Sequence, residues 1–381
     1  SGMVTGAIWS DIDADGLPDL LLTHEWGPVA VWKNTGGKLV NFTDESGLSD
    51  LLGWWTGIAA ADVDEDGDLD FAVGNMGLNV KYHATKEKPY LAYYGDLDGS
   101  GVPRFVEACH EDGGLFPVRG KSCSTQAIPS LAKKFSTYHA FASAALREIY
   151  APTRLQSAQR LAINELASGL LLNDGNGRFS YRALPRIAQT SAVFGLTFGD
   201  FDADGHQDLA LAQNFFSTQP ETGRIASGLG LILRGGGDGT FEPMRLDESG
   251  FLLSGDAKAL GLVDLNGDAR PDIFATRNSS TPKTFLNQTT SGSPLLVRLR
   301  GPPGNLRGVG SRVTLRLRSG KILLGETHSG SSYLTGAPPE LFFGIPDGDT
   351  VKSIHLHSPT GKTAVHVPSV PAHILTLNLP Q

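Results

Sequence analysis

Residues 11–19 read DIDADGLPD, with carboxylates at Asp11, Asp13, Asp15 and Asp19 and a glycine at Gly16. Loop positions 1, 3, 5 and 9 thus carry side-chain oxygens, and position 7, Leu17, can add its backbone carbonyl. A hard cation such as calcium takes six to eight oxygens at roughly 2.3–2.6 Å in a flexible cage. Glycine permits the bend that turns those oxygens inward. Without an ion, carboxylates at this spacing repel one another. The competing loop type, an EF-hand, needs a bidentate Glu at position 12 and flanking helices. Position 12 here is Leu22, and the flanks VTGAIWS and LLLTHE are short apolar runs of strand character.

The loop recurs. DVDEDGDLD supplies Asp62, Asp64, Asp66 and Asp70, with Asp68 at position 7. DFDADGHQD supplies Asp200, Asp202, Asp204 and Asp208, with His206 at position 7. DLNGDARPD supplies Asp264, Asn266, Asp268 and Asp272, with Arg270 at position 7 and the glycine moved to Gly267. One calcium is expected in each of these four loops. A fifth copy, DLDGSGVPR, is damaged: Asp96, Asp98 and Ser100 fit, but Arg104 stands at position 9. It is expected to keep the turn and to bind no ion, or to bind one weakly.

Each copy sits in a larger unit. A small-residue strand leads in (GIAAAD, GLTFGD, ALGLVD) and an apolar strand leads out (DLLLT, DFAVGN, DLALAQN, DIFATRN). Hairpin signals follow in VWKNTGGKLVNFT, LLLNDGNGRFSY and LILRGGGDGTFEP. Four strands per unit predict an all-β fold built of propeller blades over residues 1–290. A β-sandwich with scattered acidic loops is the alternative, but it does not explain why the loop always lies between the same two strand types.

Between the damaged loop and the next unit the texture changes. Residues 128–168 are rich in Ala, Leu, Lys, Arg and Gln, and Leu131, Phe135, Tyr138, Phe141 and Ala142 fall at helical spacing, so a helical insertion is expected there. From residue 294 the acidic loops stop. LLVRLRG, SRVTLRLRSGKILLGETH, ELFFGI and VKSIHLHS alternate apolar and polar residues, which predicts a small β domain over 294–381. Arg312, Arg316 and Arg318 are expected on a solvated strand face there, with a polyanion site as the sharper reading. His355 and His357 share a face without a third metal ligand in view.

The net charge of −8 is uneven, since the tail from Pro294 holds nine Lys+Arg against four Asp+Glu and leaves the rest at −13. Fifteen of those carboxylates occupy ligand positions, so the acidity reads as ligand supply rather than an acidic tail, and no nucleic-acid surface is expected. No run of 18 apolar residues exists, so no membrane span is expected. The first strand meets an ion loop at once, which reads as part of a longer chain or larger assembly. The two cysteines, Cys109 and Cys123, can pair in an oxidising compartment, with two free thiols as the other reading.

These residues resemble a known family. The repeat unit is similar to the FG-GAP or VCBS repeat of calcium-loaded β-propellers, as in integrin α-chains. NLRGVGSRVTL, GETHSGSSYLTG, ELFFGIPD and VKSIHLHSPTGK resemble the ASPIC/UnbV domain. The pairing looks like the cartilage acidic protein family, in a bacterial branch with the same helical interruption. That resemblance implies a calcium-stabilised scaffold, secreted or on the cell envelope, used in adhesion or recognition of a protein or polysaccharide ligand. It implies no general catalytic mechanism. The residues agree: no G-x-S-x-G, H-E-x-x-H or phosphate-loop pattern occurs, no catalytic residue is assigned, and ACHEDGG at 108–114 reads as a polar turn. Two alternatives remain. A lectin would use Trp26, Trp32, Trp54 or Trp55 as sugar platforms, and a polysaccharide lyase would need Tyr or His beside Arg.

Overall fold

Each acidic loop joins two antiparallel strands, as its apolar flanks predict. In the computed structural model, which describes residues 2–330, 332–336, 338–368 and 373–380, Met3–Ser10 pairs with Asp19–Pro28 and Ile58–Ala61 with Asp70–Val73. Val193–Gly199 pairs with Asp208–Gln213, and Ala257–Val263 with Asp272–Arg277. The predicted outer hairpins are also formed: Ala30–Asn34 with Leu39–Asn41, Gly169–Asn173 with Phe179–Ala183, and Leu231–Gly235 with Phe241–Pro243. The fourth unit keeps only Lys283–Phe285 outside its central strand. The protein is thus all-β with a few short helices.

In all four sheets the lead-in strand is an edge. Those edges lie side by side, and their small residues explain how. A Cβ at Gly57 would meet Phe194 O at 2.8 Å, and one at Gly195 would meet Lys258 O at 2.9 Å. The sheets bury their faces against one another, with Leu21, Phe71 and Leu171 in one seam, Leu170, Leu196 and Leu209 in the next, and Ala210, Leu260 and Ala275 in the third. Among the described residues no closed propeller is formed.

The second sheet is interrupted. After Asp70–Val73 the chain leaves to build a separate sheet, Gly114–Pro117, Arg104–Glu111, Tyr90–Gly95 and Gln159–Ile163 in that order, and then returns as Gly169–Asn173 to pair with Asp70–Val73. The damaged loop belongs to this inserted sheet. The helices differ from the expected 128–168 span. They run from Lys121–Ala127 through Pro152–Ser157, in five short pieces, and Gln159–Ile163 is a strand. Leu131 and Phe141 are buried, but Tyr138 is exposed. The stretch is broken between Ser130–Lys134 and Tyr138–Ala142, so the helical periodicity does not carry across. A further helix, Leu246–Ser249, lies outside the insertion. Cys109 and Cys123 are both free thiols. Cys109 is buried on its strand, and the Cys123 thiol meets the Glu221 carboxylate at 2.6 Å.

In the tail, Ser293–Arg300 lies between Leu341–Ile345 and a parallel Ile374–Asn378. A second sheet orders Ile322–Glu326, Arg312–Leu317, Val351–His357 and Thr363–His366. Leu295, Val297, Val313, Leu315 and Ile354 fill the space between them. Arg316 and Arg318 are exposed as expected, whereas Arg312 is half-buried and donates to Asp11 O at 2.9 Å. His355 engages Ser353 Oγ at 3.1 Å.

Candidate metal centres and the face opposite

Three of the acidic loops draw their carboxylates together. Oxygens of Asp11, Asp13 and Asp15, of Asp62, Asp64 and Asp66, and of Asp200, Asp202 and Asp208 lie within 4.8 Å of one another in each group. The backbone explains how. Position 4 is left-handed in every loop, at Ala14 (φ 56°), Glu65 (61°), Ala203 (58°) and Gly267 (82°). So is position 6, at Gly16 (87°), Gly67 (96°), Gly205 (87°) and Ala269 (67°). The displaced glycine of the fourth loop is therefore a swap between two positions that both need the same conformation. The damaged loop has glycine at both, Gly99 and Gly101.

A recurring hydrogen-bond set holds each turn. The position-5 carboxylate accepts from the position-7 amide: Leu17 N to Asp15 at 2.8 Å, Asp68 N to Asp66 at 2.9 Å, His206 N to Asp204 at 2.8 Å and Arg270 N to Asp268 at 2.9 Å. The closing aspartate uses both oxygens. One accepts from position 2, as in Val63 N to Asp70 at 3.1 Å. The other accepts from the end of the third strand: Asn34 N to Asp19 at 2.6 Å, Asn173 N to Asp70 at 2.8 Å, Gly235 N to Asp208 at 2.9 Å and Asn287 N to Asp272 at 2.7 Å. The asparagine side chains add a further link. Asn173 Nδ2 donates to Ile12 O at 2.9 Å, and Asn287 Nδ2 to Phe201 O at 2.9 Å, each reaching the acidic loop of the preceding unit. Sequence reading missed these asparagines, although VWKN, LLLN and TFLN repeat them visibly.

Burial sets the electrostatics. It pushes Asp62, Asp70 and Asp200 up to about 7 and Asp208 to about 8, with neighbouring aspartates adding to the rise. Asp19 is raised to about 6 for the same first reason. Asp13 Oδ1, Asp62 Oδ1, Asp64 Oδ1 and Asp202 Oδ1 are buried with no hydrogen-bond partner. Orphaned anionic oxygens of this kind are costly unless a cation meets them. The first three loops therefore fit a bound metal ion. Two of them already meet a cation of the chain: Lys33 contacts Asp13, and Arg234 lies 2.9 Å from Asp202. In the fourth loop the Asp264 oxygens accept from Gly267 N and Ala269 N, as those of Asp11 and Asp200 accept from amides of their own loops. The Asn266 amide faces Asp268, accepting from its N at 3.2 Å and donating to its carboxylate at 2.9 Å. In the damaged loop Asp96 pairs with Arg154 at 3.1 Å, a cation supplied by the insertion.

The loops face the tail. Besides the Arg312 contact, Lys321 Nζ lies 2.8 Å from Glu65 and 3.2 Å from His206 Nδ1. A Cβ at Gly344 would stand 1.9 Å from Asp200 Oδ2. The tryptophans divide: Trp55 is fully buried in a seam, Trp32 is half-buried on its strand, and Trp26 and Trp54 meet at 5.5 Å at the opposite ends of the strands from the loops.

A repeat of acid-loop hairpins with a two-sheet tail defines the class, and family comparison supplies the names. Residues 11–73 and 161–211 match the FG-GAP-like repeat, and residues 301–381 match ASPIC and UnbV. The chain is an FG-GAP-repeat protein with a C-terminal UnbV domain. The repeat match stops at residue 73 and resumes at residue 161, so the five inserted helices and most of the inserted sheet lie outside it. A comparison with curated proteins found no match. Among solved structures, the V. cholerae biofilm matrix protein Bap1 aligns at 9% identity over 96% of this chain and 73% of its own, with a TM-score of 0.17. BBS1N, in complex with ARL6DN, aligns at 11% identity over 76% of this chain and 94% of its own, also at 0.17. At TM-scores this low neither bears on the fold or function of this chain. Among the described residues no helix is long and apolar enough to cross a membrane.

Proposed function

We propose that this protein is a non-catalytic recognition scaffold, an open arc of four propeller blades whose acidic loops are pinned by calcium. The observation that carries this is the set of buried, unpartnered carboxylate oxygens in three loops of one design. All-oxygen donors in a flexible loop favour a hard cation over zinc or copper. Asp11, Asp13 and Asp15, Asp62, Asp64 and Asp66, and Asp200, Asp202 and Asp208 would hold it, with the position-7 carbonyls completing the shell. The reading is thus three ions, since among the described residues the Asp264 loop holds no buried carboxylate oxygen without a partner. A cation that binds only the native state stabilises by roughly 2.7 kcal/mol per site at a hundredfold excess over Kd. Calcium loops of modest affinity suit an extracellular or cell-envelope setting, and FG-GAP-like repeats fit adhesion or recognition of a protein or polysaccharide partner.

Metal analysis of the purified protein with thermal melting in chelator tests this. Three equivalents of calcium and a marked fall in melting temperature are expected. Absence of bound metal with an unchanged melt would overturn the reading. Saturable turnover of a polysaccharide, detected as unsaturated uronate absorbance, would overturn the non-catalytic part.

A further inference from the structure

At the strand ends opposite the acidic loops, a cavity of about 260 Å³ lies between the blades and the insertion. Trp26, Trp54, Tyr82 and Phe105 wall it, with Glu25 and Glu107. The rings are inclined to one another rather than coplanar. Trp26 meets Trp54 at 5.5 Å and 44°, Trp26 meets Phe105 at 5.8 Å and 78°, and Trp54 meets Tyr82 at 5.6 Å and 70°. That is a box, not the flat platform on which a sugar ring stacks.

The backbone is bent to build it. Successive strand residues point to opposite faces, yet Glu25 and Trp26 both line this cavity. Trp26 is left-handed (φ 59°), and the pairing with Leu52–Trp54 shifts register there, from Glu25–Trp54 to Gly27–Gly53. A bulge of this kind re-aims a side chain, and a bulky residue at positive φ is a genuine outlier.

The charge is also unbalanced. Glu107 is matched by Arg119 at 3.0 Å. Glu25 has no ion-pair partner among the described residues, and burial raises its carboxyl. It lies beside the Trp54 indole, whose buried N–H closes no hydrogen bond of full geometry. Lys81 covers the Tyr82 ring at 5.3 Å. Among the described residues no lysine or arginine covers Trp26, Trp54 or Phe105.

We propose that this box binds a small organic cation of the tertiary or quaternary alkylammonium class. The ring faces of Trp26, Trp54 and Phe105 take the alkylated nitrogen, and the Glu25 carboxylate supplies the counter-charge. A quaternary cation has no N–H and needs only apolar ring faces with negative potential and a nearby anion, and the single N–H of a tertiary one can be accepted by the Glu25 carboxylate. The insertion contributes Phe105, so the site exists only because the second blade is interrupted.

Titration of the intact protein with choline, tetramethylammonium and the neutral isostere 3,3-dimethyl-1-butanol, read by tryptophan fluorescence and calorimetry, tests this. Choline and tetramethylammonium are expected to bind saturably, with the isostere weaker by about tenfold. Glu25→Gln and Phe105→Ala should each weaken choline by about fivefold or more while leaving the melting temperature at its wild-type value. Phe105 is 43% exposed, so its loss does not threaten the fold. Equal binding of choline and the isostere, saturable binding of a neutral monosaccharide alone, or no saturable binding of any probe would each overturn the proposal. Chelator should leave choline binding in place below the melting temperature, which keeps this test separate from that of the calcium loops.

Discussion

Replacing Asn173 with alanine probes how the blades are tied together. Asn173 is 6% exposed. Its Nδ2 donates to Ile12 O at 2.9 Å and Leu69 O at 3.3 Å, and its Oδ1 accepts from Gly177 N at 3.2 Å. Alanine removes all three without touching the backbone bond to Asp70. Each buried polar group left unpaired costs about 1–3 kcal/mol. Because the Leu69 contact is long, roughly 3–5 kcal/mol in total is expected. A chain of this length loses roughly 2 °C of melting temperature per kcal/mol, so a fall of about 6–10 °C should appear by calorimetry. Asn287→Ala, at a less buried tie, and Asn34→Ala, whose Nδ2 reaches only Pro18 O of its own loop, should cost less. Calcium content should not change, since Asn173 is not a ligand. A shift within about 0.5 kcal/mol of wild type, or a larger loss for Asn34→Ala, would refute the assignment of Asn173 and Asn287 as inter-blade ties.

Asp64→Ala should remove one equivalent of calcium and leave the others, whereas Asp264→Ala should leave the stoichiometry unchanged in metal analysis. Because burial raises Asp62, Asp70, Asp200 and Asp208 from 3.8 to about 7 or 8, the folded state holds protons more tightly than the unfolded one. Their contribution is complete at acid pH and is lost as pH rises through 7–8. In chelator the protein should therefore melt higher at about pH 5.5 than at about pH 8.5, and excess calcium, which competes with those protons, should reverse the order. Lys258 Nζ is buried, 2.7 Å from Asp256 and 2.7 Å from Asn214 O, over the Phe194 ring. Lys258→Ala leaves the Asp256 charge uncompensated and should cost about 3–5 kcal/mol in urea unfolding. Gly267→Ala, whose Cβ meets nothing within 4 Å, should cost only about 1–2 kcal/mol of left-handed strain, and Gly344→Ala, aimed into Asp200, considerably more.

The repeat was legible because one loop chemistry recurs between strands of fixed character, and the tail because its apolar residues alternate. The fourth loop shows what spacing leaves open. Asn266 can offer an oxygen, but its neighbours decide which end of the amide turns inward. The helices between 121 and 157 were only half visible, because apolar spacing does not show where Phe135 and Thr137 end one turn and begin another. The strand Gln159–Ile163 was hidden inside an Ala- and Leu-rich run. The aromatic box was beyond reach: Trp26 and Trp54 were noticed as sugar platforms, but only the bulge at Trp26 turns its ring beside Glu25, and only the insertion brings Phe105 to them.

The interrupted blade has a consequence for synthesis. Asp70 and Asn173, joined by a ladder-end hydrogen bond, are 103 residues apart in sequence. At about 5–20 residues per second, roughly 5–20 s separate their appearance from the ribosome. Throughout that interval the strand Asp70–Val73, buried at every residue in the finished protein, has an unpaired edge. Such an edge is a template for pairing with another chain. All four strands of the inserted sheet, and the cluster of Leu97, Val106, Leu131, Phe141 and Ile149 that packs its helices on it, are made within that interval, while its other face waits for Ala192, Phe194 and Ile225.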